Sequence, residues 1–348
     1  MTRARRWTGF AAVAACLLTL TAAPAAGRAA RSRAFGPPHT LLRGVHGYAL
    51  ADATGGALWV AVPASSGQAV LHEVDAATGA AGPQLSLGRV NVGDVLYAEG
   101  WLWVTTAPRS GRGSGLLWRI EPDTLTVLSQ TRVRGGVGVP SVASAGGSLW
   151  VGAGGEIERV ASIGGKVTGR VRVRTGRDLE VGTGPGGRSL LVSEGSLGGL
   201  AHIQRRDGVT GRLLATSGRF LGVSEPALGG TFADRLWFSE ATGMAGYFGQ
   251  LNARTLRRRR TYALGIGAEM ASNGIGARVI DGILWVTQPD GGAVWNYCAN
   301  PLSGRPRLAL PRPERRGAFV TADAHRIYYL AGPYDRTLMS ATVPAACR

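Results

Sequence analysis

The sequence is short of cysteine, lysine and acidic residues. Its 348 residues include three cysteines, one lysine, and 22 Asp or Glu against 39 Lys or Arg. It contains no G-x-S-x-G, H-E-x-x-H or Walker-type phosphate loop, which removes the usual signatures of α/β-hydrolases, zinc proteases and P-loop NTPases. Beyond the N-terminus, no apolar run reaches the roughly 18 residues that a membrane-spanning helix needs. The function classes that such motifs would indicate are therefore not supported.

The N-terminus predicts a cleaved export signal over residues 1–26. A basic segment at residues 3–6 precedes an apolar run at residues 10–21 and small residues at 23–26, the order typical of a secretory signal. Two variants stay open. Arg5 and Arg6 resemble part of a twin-arginine signal. Cys16 closes a sequence that resembles a lipoprotein box, although the apolar run continues beyond it, which disfavours anchoring there.

The remaining chain is strongly basic. Loss of residues 1–26 removes three arginines and no acid, so the net charge falls from +17 to +14. This charge favours anionic partners such as envelope polymers, although the single lysine, Lys166, also indicates the codon bias of a GC-rich genome. Nucleic acid is disfavoured, because the tryptophans do not alternate with basic residues. Residues 27–38 are basic and without apolar periodicity, and predict a disordered leader.

One short motif, typified by GGALWV at residues 55–60, returns through the rest of the chain. Its Leu, or Ile in the last copy, recurs at steps of 44, 47, 41, 46, 48 and 43 residues, at Leu58, Leu102, Leu149, Leu190, Leu236, Leu284 and Ile327. A period near 45 with a strand in every unit is typical of a β-propeller. We therefore predict an all-β, seven-bladed propeller over residues 39–348.

Each repeat predicts four strands, of which the motif forms the second. Its contiguous apolar residues indicate a strand buried on both faces, so the repeating tryptophans are assigned to packing between blades. The last repeat has no room for a fourth strand, and residues 39–44 have no blade of their own. We predict that they complete the last blade and close the ring. Cys298 and Cys347 are predicted to form a disulfide across this seam, with two unpaired thiols as the alternative.

The motif and its turns carry a family resemblance. The cores LWV and LWF, the D-x-x-T-G turns, and above all LWFSEATGMAGYFGQLN at residues 236–252 resemble the YVTN, NHL and virginiamycin B lyase-like propellers. For the lyase, the resemblance implies histidines and a Glu around Mg²⁺. The matching loop, residues 265–271, offers Glu269 but no histidine, and the five histidines of the chain are scattered. The resemblance therefore specifies fold more than activity.

The loops between second and third strands, and between blades, are expected to meet on one face, the predicted ligand site. Several acids belong to these loops in a chain otherwise poor in acid: Asp178, Glu180, Glu194, Glu225, Glu240, Glu269 and Asp290. Glu194 and Glu240 occupy equivalent positions in adjacent repeats. Converging carboxylates could hold Ca²⁺ or Mg²⁺ or receive a cationic ligand. The alternative is that they are solvated acids paired with nearby arginines.

Arginines supply the other candidate contacts. Arg109 and Arg112 lie in a Gly/Ser-rich loop of the second repeat, and Arg315 lies in a blade-to-blade loop, so all three are predicted on the ligand face. The run of arginines at residues 257–260 falls on a predicted rim strand. There it protects the sheet edge or binds an anionic envelope polymer.

These observations together favour an exported, monomeric, non-enzymatic propeller with no obligatory cofactor. Its expected partner is a small molecule, a protein or an anionic envelope polymer. The alternative is a metal-dependent lyase or hydrolase whose cation is held by Glu194, Glu240 and Glu269.

Overall fold

A computed structural model describes most of the chain beyond its N-terminus. The segments outside the described residues are 1–34, 47–48, 64–66, 111–112, 135–137, 174–178, 196–200, 221–225, 243–244, 267–276, 291–292, 310–317 and 333–334. The predicted export signal lies in the first of them and stays a prediction. Within the described residues, no helix is long and apolar enough to cross a membrane.

The described strands form seven four-stranded antiparallel sheets arranged as the blades of a propeller. Blade 1 comprises β2 (Leu50–Thr54), β3 (Ala57–Pro63), β4 (Ala69–Asp75) and β5 (Ala81–Gly88). Blade 2 comprises β6 (Val90–Ala98), β7 (Trp101–Pro108), β8 (Gly115–Ile120) and β9 (Val127–Val133). Blade 3 comprises β10 (Ser141–Ala145), β11 (Ser148–Ala153), β12 (Glu156–Val160) and β13 (Val167–Arg172). Blade 4 comprises β14 (Leu179–Thr183), β15 (Ser189–Glu194), β16 (His202–Asp207) and β17 (Leu213–Thr216). Blade 5 comprises β18 (Ala227–Phe232), β19 (Arg235–Thr242), β20 (Ala245–Asn252) and β21 (Arg258–Ile266). Blade 6 comprises β22 (Ala277–Ile280), β23 (Ile283–Asp290), β24 (Ala293–Ala299) and β25 (Pro306–Ala309).

The two ends of the chain share blade 7, as predicted. This blade consists of β26 (Ala318–Ala322), β27 (Arg326–Ala331), β28 (Asp335–Thr342) and, as its outermost strand, β1 (His39–His46). The pairing of β1 with β28 sets His39 opposite Ser340 and His46 opposite Asp335. The N-terminal strand therefore satisfies the edge that β28 would otherwise expose, and the ring is closed without an unpaired seam.

The second strand of each blade packs against both neighbouring blades. Trp59 shares an apolar cluster with Leu102 and Val104 of blade 2, whereas its flanking residues Leu58 and Val60 pack against blade 7. The same division recurs around the ring, because successive side chains of a strand point to opposite faces. The predicted packing role of the repeating tryptophans is thereby confirmed. Each of the five is at most 4% exposed: Trp59, Trp103, Trp150, Trp237 and Trp285.

Three of these tryptophans also link consecutive blades through hydrogen bonds. The indole Nε1–H of Trp59 donates to the Pro122 carbonyl over 3.3 Å, that of Trp150 to Gly208 over 2.7 Å, and that of Trp237 to Pro301 over 2.9 Å. Each acceptor lies in the turn between the third and fourth strands of the next blade. A buried indole thus finds the partner that it requires, and the turn is held against the preceding blade.

The propeller has two distinct faces. The turn face carries the hairpins between first and second strands and the turns between third and fourth strands. The loop face carries the connections between second and third strands and those between blades. Several predicted loops on the loop face are shorter than expected, because the strands extend into them: β19 and β20 leave only residues 243–244 between them. Glu240, placed in a loop by the sequence, therefore lies within a strand.

The C-terminal tail is anchored to blade 6. Cys298, on the third strand of that blade, forms the predicted disulfide with Cys347, which lies in a short 3₁₀ turn after β28. The Arg307 guanidinium donates to the Cys347 carbonyl over 2.9 Å. Phe35, inside the predicted leader, is buried and packs against Trp285. The folded chain therefore begins before the predicted boundary at residue 39, since this aromatic side chain completes the core between blades 6 and 7.

Candidate functional site

Two equivalent glutamates lie where second strands reach the loop face. Glu194 is the last residue of β15 and lies opposite His202, and Glu240 of β19 lies opposite Tyr247. The equivalence expected from the sequence is present in the structure. Both side chains are buried, however, with 4% and 7% exposure. Neither is a solvated loop acid, because each is drawn into the interface with the preceding blade.

Glu194 belongs to a buried chain of polar side chains. The amide Nε2 of Gln204 donates to its Oε1 over 2.7 Å, and the Nε–H of Arg206 donates to the Gln204 Oε1 over 2.8 Å. The Arg206 guanidinium continues to the Gly211 carbonyl. Burial lowers the pKa of Arg206, and the Glu194 carboxylate opposes that shift. The amide thus joins two opposite charges, and the relay runs along blade 4 from the loop face to the turn face.

Glu240 is paired more loosely. Its Oε2 lies 3.8 Å from an Arg258 guanidinium nitrogen, and among the described residues its buried Oε1 has no hydrogen-bond partner. Arg258 stacks above the rings of Phe220 and Phe238. Gly249, which pairs with Phe238 on the neighbouring strand, leaves room for this arrangement, because a Cβ at this position would lie 2.7 Å from the Phe238 ring. Glu240 therefore lies beside an arginine that stacks on two phenylalanine rings, and one of its oxygens is available to a donor.

The other predicted contacts divide between described and undescribed residues. Arg109 is exposed beyond β7, where its guanidinium lies against the backbone of Gly67 in the neighbouring blade. The backbone of Asp290 ends β23, but its side chain is outside the description. Arg112, Glu225, Glu269 and Arg315 lie outside the described residues, as does Asp178. The predicted set as one ligand site therefore stays a prediction.

The innermost strands hold a second set of polar residues, of which the sequence singled out only Glu180. Asp94, Ser141 and Glu180 occupy equivalent positions on β6, β10 and β14. Each accepts a hydrogen bond from a backbone N–H of the next blade, from Val142, Val181 and Leu228 over 3.2, 2.9 and 2.9 Å. Glu180, placed in a loop by the sequence, is thus a strand residue. The sequence feature that could have identified these residues is a polar residue on the first strand of the blade. It pairs with the residue that directly follows the LWV motif on the second strand.

Charges gather around the central channel at this level. Asp52 of β2 accepts the Tyr97 N–H over 2.7 Å. Burial raises the pKa of Asp52, and raises that of Asp94 to about 6. Arg278 of β22 lowers both values, which places its positive charge in the field of the two acids across the channel. The inner acids therefore hold neighbouring blades together, and Arg278 partly compensates their charge.

The metal alternative includes Glu269, which lies outside the described residues, and it stays a prediction. Among the described residues, no three His, Cys, Asp or Glu side chains converge as a cation would require. His72, on β4, is half-buried, and burial lowers its pKa. Glu194 binds Gln204, Glu240 lies beside Arg258, and Asp94 and Glu180 accept backbone N–H groups of the next blade.

Comparison with known proteins gives a fold but no family. No family model matches the chain, and no curated protein matches it. Solved structures do. The WD40 domain of Toxoplasma gondii coronin aligns with a TM-score of 0.60 at 12% identity, over 90% of this chain and 86% of that one. BamB from Moraxella catarrhalis gives 0.54 at 16% identity, over 86% and 85%. A chain of the mitotic checkpoint complex gives 0.62 at 14% identity, over 99% of both.

The chain is a seven-bladed β-propeller. At these identities the likeness extends to the fold alone. It agrees with the repeat-level resemblance to YVTN and NHL propellers, and the activities of the aligned proteins do not transfer with it.

Proposed function

We propose that this propeller is exported and binds an anionic partner, a protein or an envelope polymer, on its loop face without catalysing a reaction. The observation that carries the proposal is the pairing of the two candidate glutamates. Glu194 is joined through Gln204 to Arg206, and Glu240 is paired with Arg258. Because arginines of their own blades balance these acids, exposed arginines of this face are available to a partner: Arg109, and also Arg89 and Arg219 in blade-to-blade connections.

The neighbouring structures support a binding role for the fold. The mitotic checkpoint complex is, by its description, an assembly of proteins, and its propeller aligns over almost the whole of both chains. Propellers present loops from several blades to one side, which suits recognition of an extended partner. We assign the same use to the loop face here, with Arg109, Arg112 and Arg315 as its contacts.

One observation favours the metal-dependent lyase or hydrolase as a second candidate. The buried Oε1 of Glu240 lacks a partner among the described residues, and a carboxylate oxygen of this kind can bind a hard cation. A tight, stoichiometric divalent metal in the purified protein, lost on Glu194→Ala, Glu240→Ala, Glu269→Ala substitution, would establish this candidate over the binding role.

The binding proposal is tested by retention of the secreted protein on cell-envelope fractions. An intact mass shorter by the first 26 residues would establish export. We expect Arg109→Ala, Arg112→Ala, Arg315→Ala to weaken retention about tenfold or more. A rim control, Arg43→Ala, Arg132→Ala, Arg172→Ala, removes the same charge from exposed positions on the outer strands β1, β9 and β13. Equal loss in both variants would contradict a specific loop-face site.

A further inference from the structure

The turns between third and fourth strands are closed by the same backbone hydrogen bond in blades 1 to 6. In each, the backbone N–H of the first turn residue donates to the carbonyl of the sixth over 2.8 to 2.9 Å: Asp75 to Ala80, Glu121 to Thr126, Ala161 to Lys166, Asp207 to Arg212, Asn252 to Arg257 and Asn300 to Arg305. Because this bond closes the turn in the same way each time, the third residue is always at its tip. Equivalent positions can therefore be compared directly around the turn face.

Three of the six tips are large aliphatic residues directed into solvent. Ile163 is 84% exposed, Val209 50% and Leu302 45%. Single exposed apolar residues are common on protein surfaces and need no explanation. Here they recur at one position of one turn in blades 3, 4 and 6. In blade 5 the tip is the exposed Arg254.

The sixth turn residue is basic in each of blades 3 to 6. Lys166, Arg212, Arg257 and Arg305 are exposed and belong to blades 3 to 6 in order. The acids nearby are largely occupied. Asp207 accepts three hydrogen bonds from its own turn. Asp234 is paired with Arg259 and Arg235, although Asp281 stays exposed. We call these turns of blades 3 to 6 the basic arc; it combines apolar tips with a row of cations.

Blades 1 and 2 present the opposite character on the same face. Their turn tips are Ala77 and Asp123, and their sixth residues, Ala80 and Thr126, are uncharged. The pKa of Glu73 is raised by burial and then by the neighbouring Asp123 and Glu121 carboxylates, so acids crowd together there. The turn face is thus divided into an acidic side and the basic arc, and the arc is complementary to a negatively charged surface.

We propose that the basic arc docks this propeller onto the surface of an anionic lipid bilayer, with Ile163, Val209 and Leu302 inserted among the acyl chains. The cations then lie at the level of the lipid phosphates. A polar anionic polymer would complement the arginines but offer nothing to three exposed aliphatic side chains. A bilayer interface accepts both, since apolar insertion and electrostatic attraction to acidic lipids act together.

This surface is separate from the loop face, because third-to-fourth strand turns and second-to-third strand loops lie at opposite ends of the blades. The propeller could therefore rest on a membrane by one face and present the other to its partner. Docking does not depend on the loop-face proposal, and either can fail alone.

The test is cosedimentation of the full mature protein, disulfide intact, with vesicles of about one-third phosphatidylglycerol in phosphatidylcholine. We expect binding to these vesicles and little to pure phosphatidylcholine. Lys166→Gln, Arg212→Gln, Arg305→Gln should weaken binding by about fivefold for each charge removed. Ile163→Ser, Val209→Ser, Leu302→Ser should weaken it by about tenfold or more, with thermal stability unchanged because all six side chains are exposed.

Matched controls keep the inference specific. Leu128, on the rim strand β9, is 44% exposed, so Leu128→Ser removes a similar apolar side chain outside the arc and should leave binding unchanged. Arg43→Gln, Arg132→Gln, Arg172→Gln removes three cations from the rim and should cost much less than the arc variant. Equal losses in arc and rim variants would show general charge attraction and overturn the proposal.

Three further results would also overturn it. The first is binding to a soluble anionic polysaccharide as tight as to vesicles and insensitive to the three serine substitutions. The second is self-association in sedimentation that the arc variants abolish, which would assign the arc to the acidic blades of a second copy. The third is vesicle binding lost in the Arg109, Arg112, Arg315 variant but kept in the arc variants.

Discussion

The Oδ2 atom of Asp94 accepts a hydrogen bond from the backbone N–H of Val142 over 3.2 Å, across the interface between blades 2 and 3. The same carboxylate is buried deeply enough that its pKa rises to about 6. This acid therefore joins two blades while its ionised form is desolvated. Ser141 and Glu180 repeat the connection in the next two blades, where they accept the N–H groups of Val181 and Leu228.

Substitution of Asp94 by Asn should stabilise the protein above pH 6. The pKa is raised on folding, so the group stabilises the fold fully below about pH 4, and that contribution is lost as the pH rises through about 6. Asn imitates the protonated acid and keeps an acceptor for the Val142 N–H. In urea unfolding we expect Asp94→Asn to match the parent near pH 4 and to exceed it by about 1–3 kcal/mol at pH 7.5.

Asp75→Asn is the control of opposite sign. Backbone and side-chain hydrogen bonds from Thr78 lower the pKa of Asp75, so its ionised form stabilises the fold above pH 4 and that contribution is lost on acidification. The stability of the parent relative to the Asp75→Asn variant should therefore increase as the pH rises. An Asp94→Asn difference that does not change between pH 4 and 7.5 would contradict the assigned pKa.

Gln204→Leu should destabilise the protein by about 3 kcal/mol or more. The substitution removes the amide that bridges Glu194 and Arg206 in a buried site, and the loss of hydrogen bonds to buried charged groups is costly. Gln130→Leu, at an exposed position of the rim strand β9, is the matched control and should change stability by no more than about 0.5 kcal/mol. Similar losses of unfolding free energy in both variants would show that Gln204 does not couple Glu194 to Arg206.

Opening the disulfide should lower the unfolding free energy by about 2–4 kcal/mol, as expected for a link that joins residues 49 apart. Cys298→Ser, Cys347→Ser is the variant, and chemical unfolding with and without reductant is the measurement. The parent should lose stability in reductant and the double variant should not. A parent protein whose unfolding free energy does not change in reductant would contradict the disulfide. Two titratable thiols in the native parent would contradict it as well.

Deletion of residues 27–46 should abolish cooperative unfolding. It removes β1 together with the buried Phe35, so the outer edge of β28 is left unpaired, and the ring opens with an edge prone to aggregation. Deletion of residues 27–34 removes only part of the predicted leader and should leave thermal unfolding unchanged. A β1-less protein that stays monomeric and unfolds like the parent would show that the N-terminal strand does not close the ring.

Repetition in the sequence determined the architecture. A buried strand every 45 residues or so cannot satisfy its two apolar faces alone, so the units must stack, and seven units close into a ring. The same regularity assigned the tryptophans to packing and predicted the pairing of residues 39–44 with the last blade. Cysteine count and position were sufficient to predict the link between Cys298 and Cys347.

Only the tertiary structure decided what the charged residues do. Glu194 and Glu240 read alike in sequence, yet one meets Gln204 and the other an arginine between two phenylalanines, because their partners come from strands 10 to 18 residues away. The inner acids bind amides of the next blade, about 48 residues on. The basic arc appears only when turns from four blades are placed side by side. Spacing along the chain encodes the period of a propeller, but contacts across it are decided by which blades become neighbours.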